Sequence, residues 1–159
     1  MFRCKESEMK SLLLLSVVAW FSAGVAQSKD DVPPRNMEIQ HPFVGAWKLV
    51  SLEQEDADGQ LHKVDSAGLF VFTADGKASV QVMYRNAQTD SAYVHGDYEA
   101  SYGNYHIDDC SSFTFHVQGA LVATLIGKDL KREYQISGNR LIVRPTDPNE
   151  HWEVVWEHY

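Results

Sequence analysis

The sequence predicts an all-β domain, a barrel or a sandwich, behind an N-terminal signal peptide. Three observations carry this. From Pro42 onward no long segment has helical spacing, and short stretches instead alternate apolar and polar residues. Turn signals separate those stretches at fairly regular distances, the pattern of a barrel or sandwich. The chain has 159 residues, 44% hydrophobic and 23% charged, which fits one globular domain.

The first 26 residues differ from the rest. Arg3, Lys5 and Lys10 supply positive charge, the run from Leu12 to Phe21 is apolar, and Ser22-Ala23-Gly24-Val25-Ala26 is small. That order is a secretory signal peptide, with cleavage expected after Ala26 and translation starting at Met1 or Met9. The apolar run falls short of the roughly 20 residues that span a bilayer, so no membrane association is expected after cleavage. The expected location is secreted or periplasmic. Residues 27–41 are polar, hold Pro33-Pro34 and read as a linker. The folded domain is then 42–159.

Nine strands are placed in order. Val44–Gln54 comes first and turns at Asp56-Ala57-Asp58-Gly59, and Leu61–Asp65 is a short edge strand. Leu69–Thr73 and Ala78–Tyr84 flank a turn at Ala74–Lys77, and residues 86–97 are a polar loop. Tyr102–Ile107 and Ser112–Val117 join through Asp108–Ser111, Lys131–Ile136 and Arg140–Arg144 through Gly138-Asn139, and Trp152–Tyr159 closes the chain.

The Gly138-Asn139 signal is the most informative. A two-residue turn there sets Ile136 opposite Leu141 and Tyr134 opposite Val143. Arg132, Tyr134, Ile136, Leu141 and Val143 then share one face, so Arg132 is aimed at the apolar interior. A buried guanidinium needs a partner or a ring to stack on. On the last strand Trp152, Val154, Trp156 and His158 share a face in the same way. On the first strand Phe43, Gly45, Trp47 and Leu49 do so, and Gly45 leaves room beside the Trp47 ring. Arg132 stacked on Trp47 would gain about 0.5–2 kcal/mol.

Charge and composition exclude several functions. The chain has 14 basic and 22 acidic residues, and loss of Arg3, Lys5, Lys10, Glu6 and Glu8 with the signal leaves 11 and 20, a net charge of −9. Such a surface repels phosphate backbones, so no nucleic-acid partner is expected. Cleavage removes Cys4 and leaves Cys110 as an ordinary turn residue, so the exported domain is expected to fold without an internal disulfide. Acids at positions 108 and 109 disfavour a thiolate nucleophile there. The seven histidines show no close ligand spacing, and no metal or other cofactor is expected. Nucleophile elbow, phosphate loop and dinucleotide fingerprint are all missing from the sequence.

The ordered set of segments resembles the lipocalin-like domain family of bacteria and fungi, over about Pro42 to Tyr159. The matching stretches are Val44-Gly45-Ala46-Trp47-Lys48-Leu49-Val50-Ser51, Gly68–Lys77, Tyr102-Gly103-Asn104-Tyr105, Thr114-Phe115-His116-Val117, Gly127–Arg132 and the closing Trp156. The resemblance implies a single antiparallel lipocalin-like β-barrel with a central cavity. Some similar domains are small-molecule binders and others enzymes of specialised metabolism. The family often has paired histidines where this chain has Phe115-His116, and His158 stands where Arg is common, so no catalytic residue is carried over.

The leading expectation is an exported protein that binds a small, mostly apolar molecule in the barrel. Trp47, Tyr105, Phe113 and Phe115 would supply aromatic wall together with Tyr134, Trp152 and Trp156. His116 and Arg132 would orient the ligand's polar end. A cavity enzyme, an isomerase or cyclase with His116 as acid or base and Arg132 as oxyanion clamp, is the first alternative. A structural or interaction module with a filled core is the second.

Overall fold

The computed structural model describes residues 41–85 and 91–159, and the expected signal peptide (1–26), most of the expected linker (27–41) and Asn86–Asp90 lie outside the described residues. Among the described residues nine antiparallel strands follow one another: β1 (Gly45–Glu55), β2 (Leu61–Lys63), β3 (Ser66–Phe72), β4 (Lys77–Tyr84), β5 (Tyr98–Ile107), β6 (Ser112–Ala120), β7 (Asp129–Ser137), β8 (Arg140–Pro145) and β9 (Trp152–His158). From β3 to β9 each strand pairs with its chain neighbour, and β9 returns to β1. The sheet therefore meets itself as a barrel of eight strands, β1 and β3 to β9. The short β2 continues along the same edge of β1 that β3 uses, pairing Glu53–Glu55 where β3 pairs Gly45–Lys48. Closure removes the free edges that would otherwise template aggregation.

The register follows the residues. The β7–β8 hairpin pairs Tyr134 with Val143 and Ile136 with Leu141, as its two-residue turn requires. On β6, Phe113, Phe115 and Val117 point inward and are buried. Two irregularities change the phase of the alternation. Between Leu49 and Ser51 the β1 register against β9 shifts, so Trp47 and Leu49 point in, Val50 is exposed, and Leu52 takes over the inward face. Between Tyr102 and Gly103 the β5–β6 register shifts as well. A Cβ on Gly103 would lie 1.9 Å from the His116 carbonyl oxygen, so the close approach of the strands there needs glycine.

One end of the barrel is plugged. A short 3₁₀ turn, His41–Phe43, turns the Phe43 ring into the interior, where it is fully buried. It meets Tyr134 at 4.6 Å, Phe72 at 5.2 Å and Phe113 at 5.5 Å, all edge-on, and stacks over Tyr105 at 6.2 Å. Trp47 locks the turn by donating its indole N–H to the Phe43 carbonyl at 2.8 Å. Gly45 completes the end: a Cβ there would lie 2.2 Å from His158 Nε2, and the ring it would displace packs on Trp47 at 4.8 Å. The expected stack of Arg132 on Trp47 does not form, because Trp47 sits in this plug and Arg132 does not.

Cys110 lies in the connection between β5 and β6, where a turn was expected. The other cysteine of the sequence, Cys4, lies outside the described residues.

Candidate functional site

Above the plug the barrel holds a cavity of about 90 Å³. An eight-stranded barrel is just wide enough for its side chains to fill it or to hold one small ligand, and this interior lies between those limits. Much of the wall is apolar: Leu49 and Leu52 from β1, Phe70 from β3, Val80 and Val82 from β4, Phe113 and Phe115 from β6, Val143 from β8, and Val154 and Trp156 from β9.

Arg132 reaches this cavity from β7 and is only 8% exposed. Its charge is held by groups from two loops and β9. Nη2 donates to the Tyr93 hydroxyl at 2.8 Å, Nη1 donates to the Lys131 carbonyl at 3.1 Å, and Nη1 lies 3.6 Å from Glu150 Oε2. The guanidinium carbon sits 5.0 Å from the Trp152 ring centre and 5.4 Å from that of Tyr93. Tyr93 donates its hydroxyl hydrogen to Glu150 Oε1, and Trp152 donates its indole N–H to Glu150 Oε2 at 3.1 Å. Glu150 thus gathers three donors, and the desolvated cation has the partners it requires. Burial pushes the Tyr93 hydroxyl up to about 12, against the pull of the Arg132 charge.

A second acid lines the same cavity. Glu99 sits on β5 opposite the buried Val82, with the buried Ser101 two residues on. It accepts a hydrogen bond from the Tyr84 hydroxyl at 3.1 Å. Loss of water pushes its carboxyl up to about 7, while the Tyr84 hydrogen bond and the Arg132 charge pull it back. The same burial, and then the Glu99 charge, raises Tyr84 well above the usual phenol range. Among the described residues no direct ion pair joins Glu99 to Arg132. Across the cavity Trp156, 3% exposed, has a buried indole N–H with no hydrogen-bond partner.

Five of the nine sequence-predicted wall residues border this cavity: Phe113, Phe115, Arg132, Trp152 and Trp156. Trp47, Tyr105 and Tyr134 are corrected to the plug. They pack on or bond to the Phe43 turn, and Tyr105 and Tyr134 donate to the Thr73 and Asp109 carbonyls at 3.0 and 3.2 Å. His116 is corrected to the outer face. It alternates with the inward Phe115 and Val117, and its Nδ1 lies 2.7 Å from Asp129 Oδ1 on the neighbouring strand. His116 and Arg132 therefore do not form one catalytic site. Glu99, Tyr84, Tyr93 and Glu150 were not foreseen. Counting back by twos from the inward Tyr105 on β5 reaches Ser101 and Glu99, a signal the sequence does contain.

The geometry can be set beside known proteins. A sequence model of the lipocalin-like domain matches residues 44–157, nearly all of the folded part. The chain belongs to the lipocalin-like domain family. Its barrel, plugged at one end and hollow above, is a lipocalin-like architecture, and the family resemblance extends through the strands that carry Glu99, Arg132 and Trp156. Among solved structures, an uncharacterized protein from Bacteroides eggerthii DSM 20697 is similar at 16% identity with a TM-score of 0.46, over 74% of this lipocalin-like chain and 99% of that one. No functionally curated protein matches it significantly. Among the described residues no group of three or more His, Cys, Asp or Glu is placed to hold a metal ion.

Proposed function

We propose that this lipocalin-like protein is exported, to the periplasm or the medium, and binds a small, mostly apolar molecule inside its barrel. The observation that carries the reading is the apolar cavity with Arg132, Glu99 and Tyr84 on its wall. Apolar surface supplies affinity at about 25 cal/mol per Å² removed from water, and a few fixed polar groups supply orientation. The cavity of about 90 Å³ is small beside ordinary ligand pockets of roughly 300–1,000 Å³. The ligand is therefore compact, or only its head enters the barrel. Export rests on the signal-peptide pattern of residues 1–26.

Trp152 and Trp156 border the cavity and serve as reporters. Tryptophan emission of the purified protein should change saturably as a small lipophilic probe is titrated in. Native mass spectrometry should detect the one-to-one complex. No emission change and no bound species would favour the alternative of a filled, purely structural core. N-terminal sequencing of protein recovered from the periplasm or medium should begin at Gln27, and a product retained in the cytoplasm would refute export.

A further inference from the structure

The cavity wall carries two charged side chains, Arg132 and Glu99, and they are matched unequally. The guanidinium has an acid of its own. Glu150 lies 3.6 Å from it, the Tyr93 hydroxyl and the Lys131 carbonyl accept its hydrogens, and the Tyr93 and Trp152 rings lie close to it. Glu99 has no cation at ion-pair distance among the described residues. Its Oε2 accepts one hydrogen bond, from Tyr84, where an ionised carboxylate has about four acceptor sites. Its Oε1 has no partner among the described residues. Nor is that oxygen sealed in protein, because the buried side-chain polar atom left without a partner among those residues is Trp156 Nε1 and not this one. Glu99 stands on the inner face of β5, in phase with Ser101, Gly103 and Tyr105, so the accessible side of its carboxyl opens on the cavity it lines.

Charge points the same way as geometry. Glu150 offsets Arg132, so an ionised Glu99 leaves the site one negative charge in excess. A charge in an apolar wall needs an opposite charge beside it. The chain as a whole, at a net −8, draws cations in and keeps anions out. An ammonium group brings one positive charge and three donors, which suits a carboxylate with open acceptor sites.

Resting on the binding reading above, we propose that the ligand is a compact, mostly apolar primary amine, held as its ammonium ion with an N–H on Glu99 Oε1 and its hydrocarbon part against the apolar wall. Tyr84 steadies the carboxylate through Oε2, and Arg132, already paired, stays with Glu150.

Three five-membered-ring probes separate the possibilities: cyclopentylammonium, cyclopentanone and methylcyclopentane, titrated into the purified protein by NMR near pH 8. There Glu99, with its value of about 7, is mostly ionised, and an alkylamine still holds its proton. Cyclopentylammonium should bind roughly tenfold or more tightly than methylcyclopentane, the worth of one charge-assisted hydrogen bond. Cyclopentanone, which can only accept, should gain nothing over the hydrocarbon. Glu99→Gln keeps the shape and an acceptor for Tyr84, and it should erase the advantage of the ammonium. If that variant does not fold, the carboxyl carbon resonance of Glu99 in the unaltered protein decides the point. Its titration midpoint should move to lower pH when cyclopentylammonium is bound and stay in place with methylcyclopentane. An ammonium that binds no more tightly than the hydrocarbon, a ketone that binds most tightly, or an unmoved midpoint would overturn the proposal while leaving a binding protein. Failure of all three probes to bind would remove the binding reading as well.

Discussion

The two ends of this barrel are both built of aromatic rings, yet the rings do different work. At the plugged end Phe43 is surrounded by Tyr105, Phe113, Tyr134 and Phe72, and the rings touch one another. At the other end Tyr93 and Trp152 surround a cation, Arg132, and both also donate to Glu150. The first arrangement gains from burial and edge-to-face packing and carries little desolvation cost. The second needs every polar partner in place merely to offset the cost of burying charge. The same period-two alternation delivers inward side chains to both ends. What differs is that the plug stores stability, whereas the polar end holds shape and charge around a space.

The sharpest way to break that comparison is at the plug. Phe43→Ala should cost about 3–5 kcal/mol, the usual range for a buried Phe truncation, because four rings lose their common neighbour. Chemical denaturation would measure it. A loss below about 1 kcal/mol would mean that the plug is not the stabilising end.

Glu99 gives the next effect, and its sign is opposite to that of a salt-bridged acid. Its folded carboxyl is raised from 4.5 to about 7. Between those values the folded chain holds a proton that the unfolded chain has released, so stability falls as pH rises through that window. Glu99 is half-buried, so the decline has an upper limit on the order of 3 kcal/mol. Urea titrations from pH 4 to 8 should show this decline in the unaltered protein, and Glu99→Gln should flatten it. Identical pH profiles for the two proteins would show that Glu99 does not titrate in this way.

Arg132→Met tests the polar end more gently. Glu150 loses its cation but keeps the Tyr93 and Trp152 donors, and its side chain is 26% exposed and can reach water. The loss should be about 2 kcal/mol, less than at the plug. A loss equal to that of Phe43→Ala would erase the distinction between the two ends.

These expectations could be written from sequence in unequal measure. The hairpin at Gly138-Asn139 disclosed its own register, and with it the inward aim of Arg132, because a two-residue turn leaves one pairing available. The alternation on β9 likewise disclosed Trp152 and Trp156. Two things were hidden. A register shift on β1 changes which residues point inward, so Leu52 could not be counted through, and β5 was expected to begin only at Tyr102, which left Glu99 outside any expected strand although the alternation back from Tyr105 is unbroken. Partners drawn from loops were hidden too. Tyr93 precedes β5 by 5 residues and Glu150 precedes β9 by 2, and neither belongs to a periodic stretch. Trp47 was legible as an inward ring beside Gly45. That Phe43, and not Arg132, would lie against it depended on a three-residue 3₁₀ turn that no periodicity announces.

The smallest effect belongs outside the barrel altogether. His116 lies between two inward residues, Phe115 and Val117, and a shift of one position in the β6 register would have brought it into the cavity. Instead it pairs with Asp129 across the outer face, with 46% and 70% of the two side chains exposed. Exposed pairs of this kind contribute about 0–1 kcal/mol and weaken with salt. His116→Ala should therefore change stability by less than about 1 kcal/mol and leave probe binding unchanged, whereas Trp156→Phe, a milder substitution by size, should alter binding. Binding assays on the two variants side by side test the orientation of β6 directly. A loss of affinity in His116→Ala matching that in Trp156→Phe would mean that β6 is turned the other way, and the inward positions of Phe113 and Phe115 would fall with it.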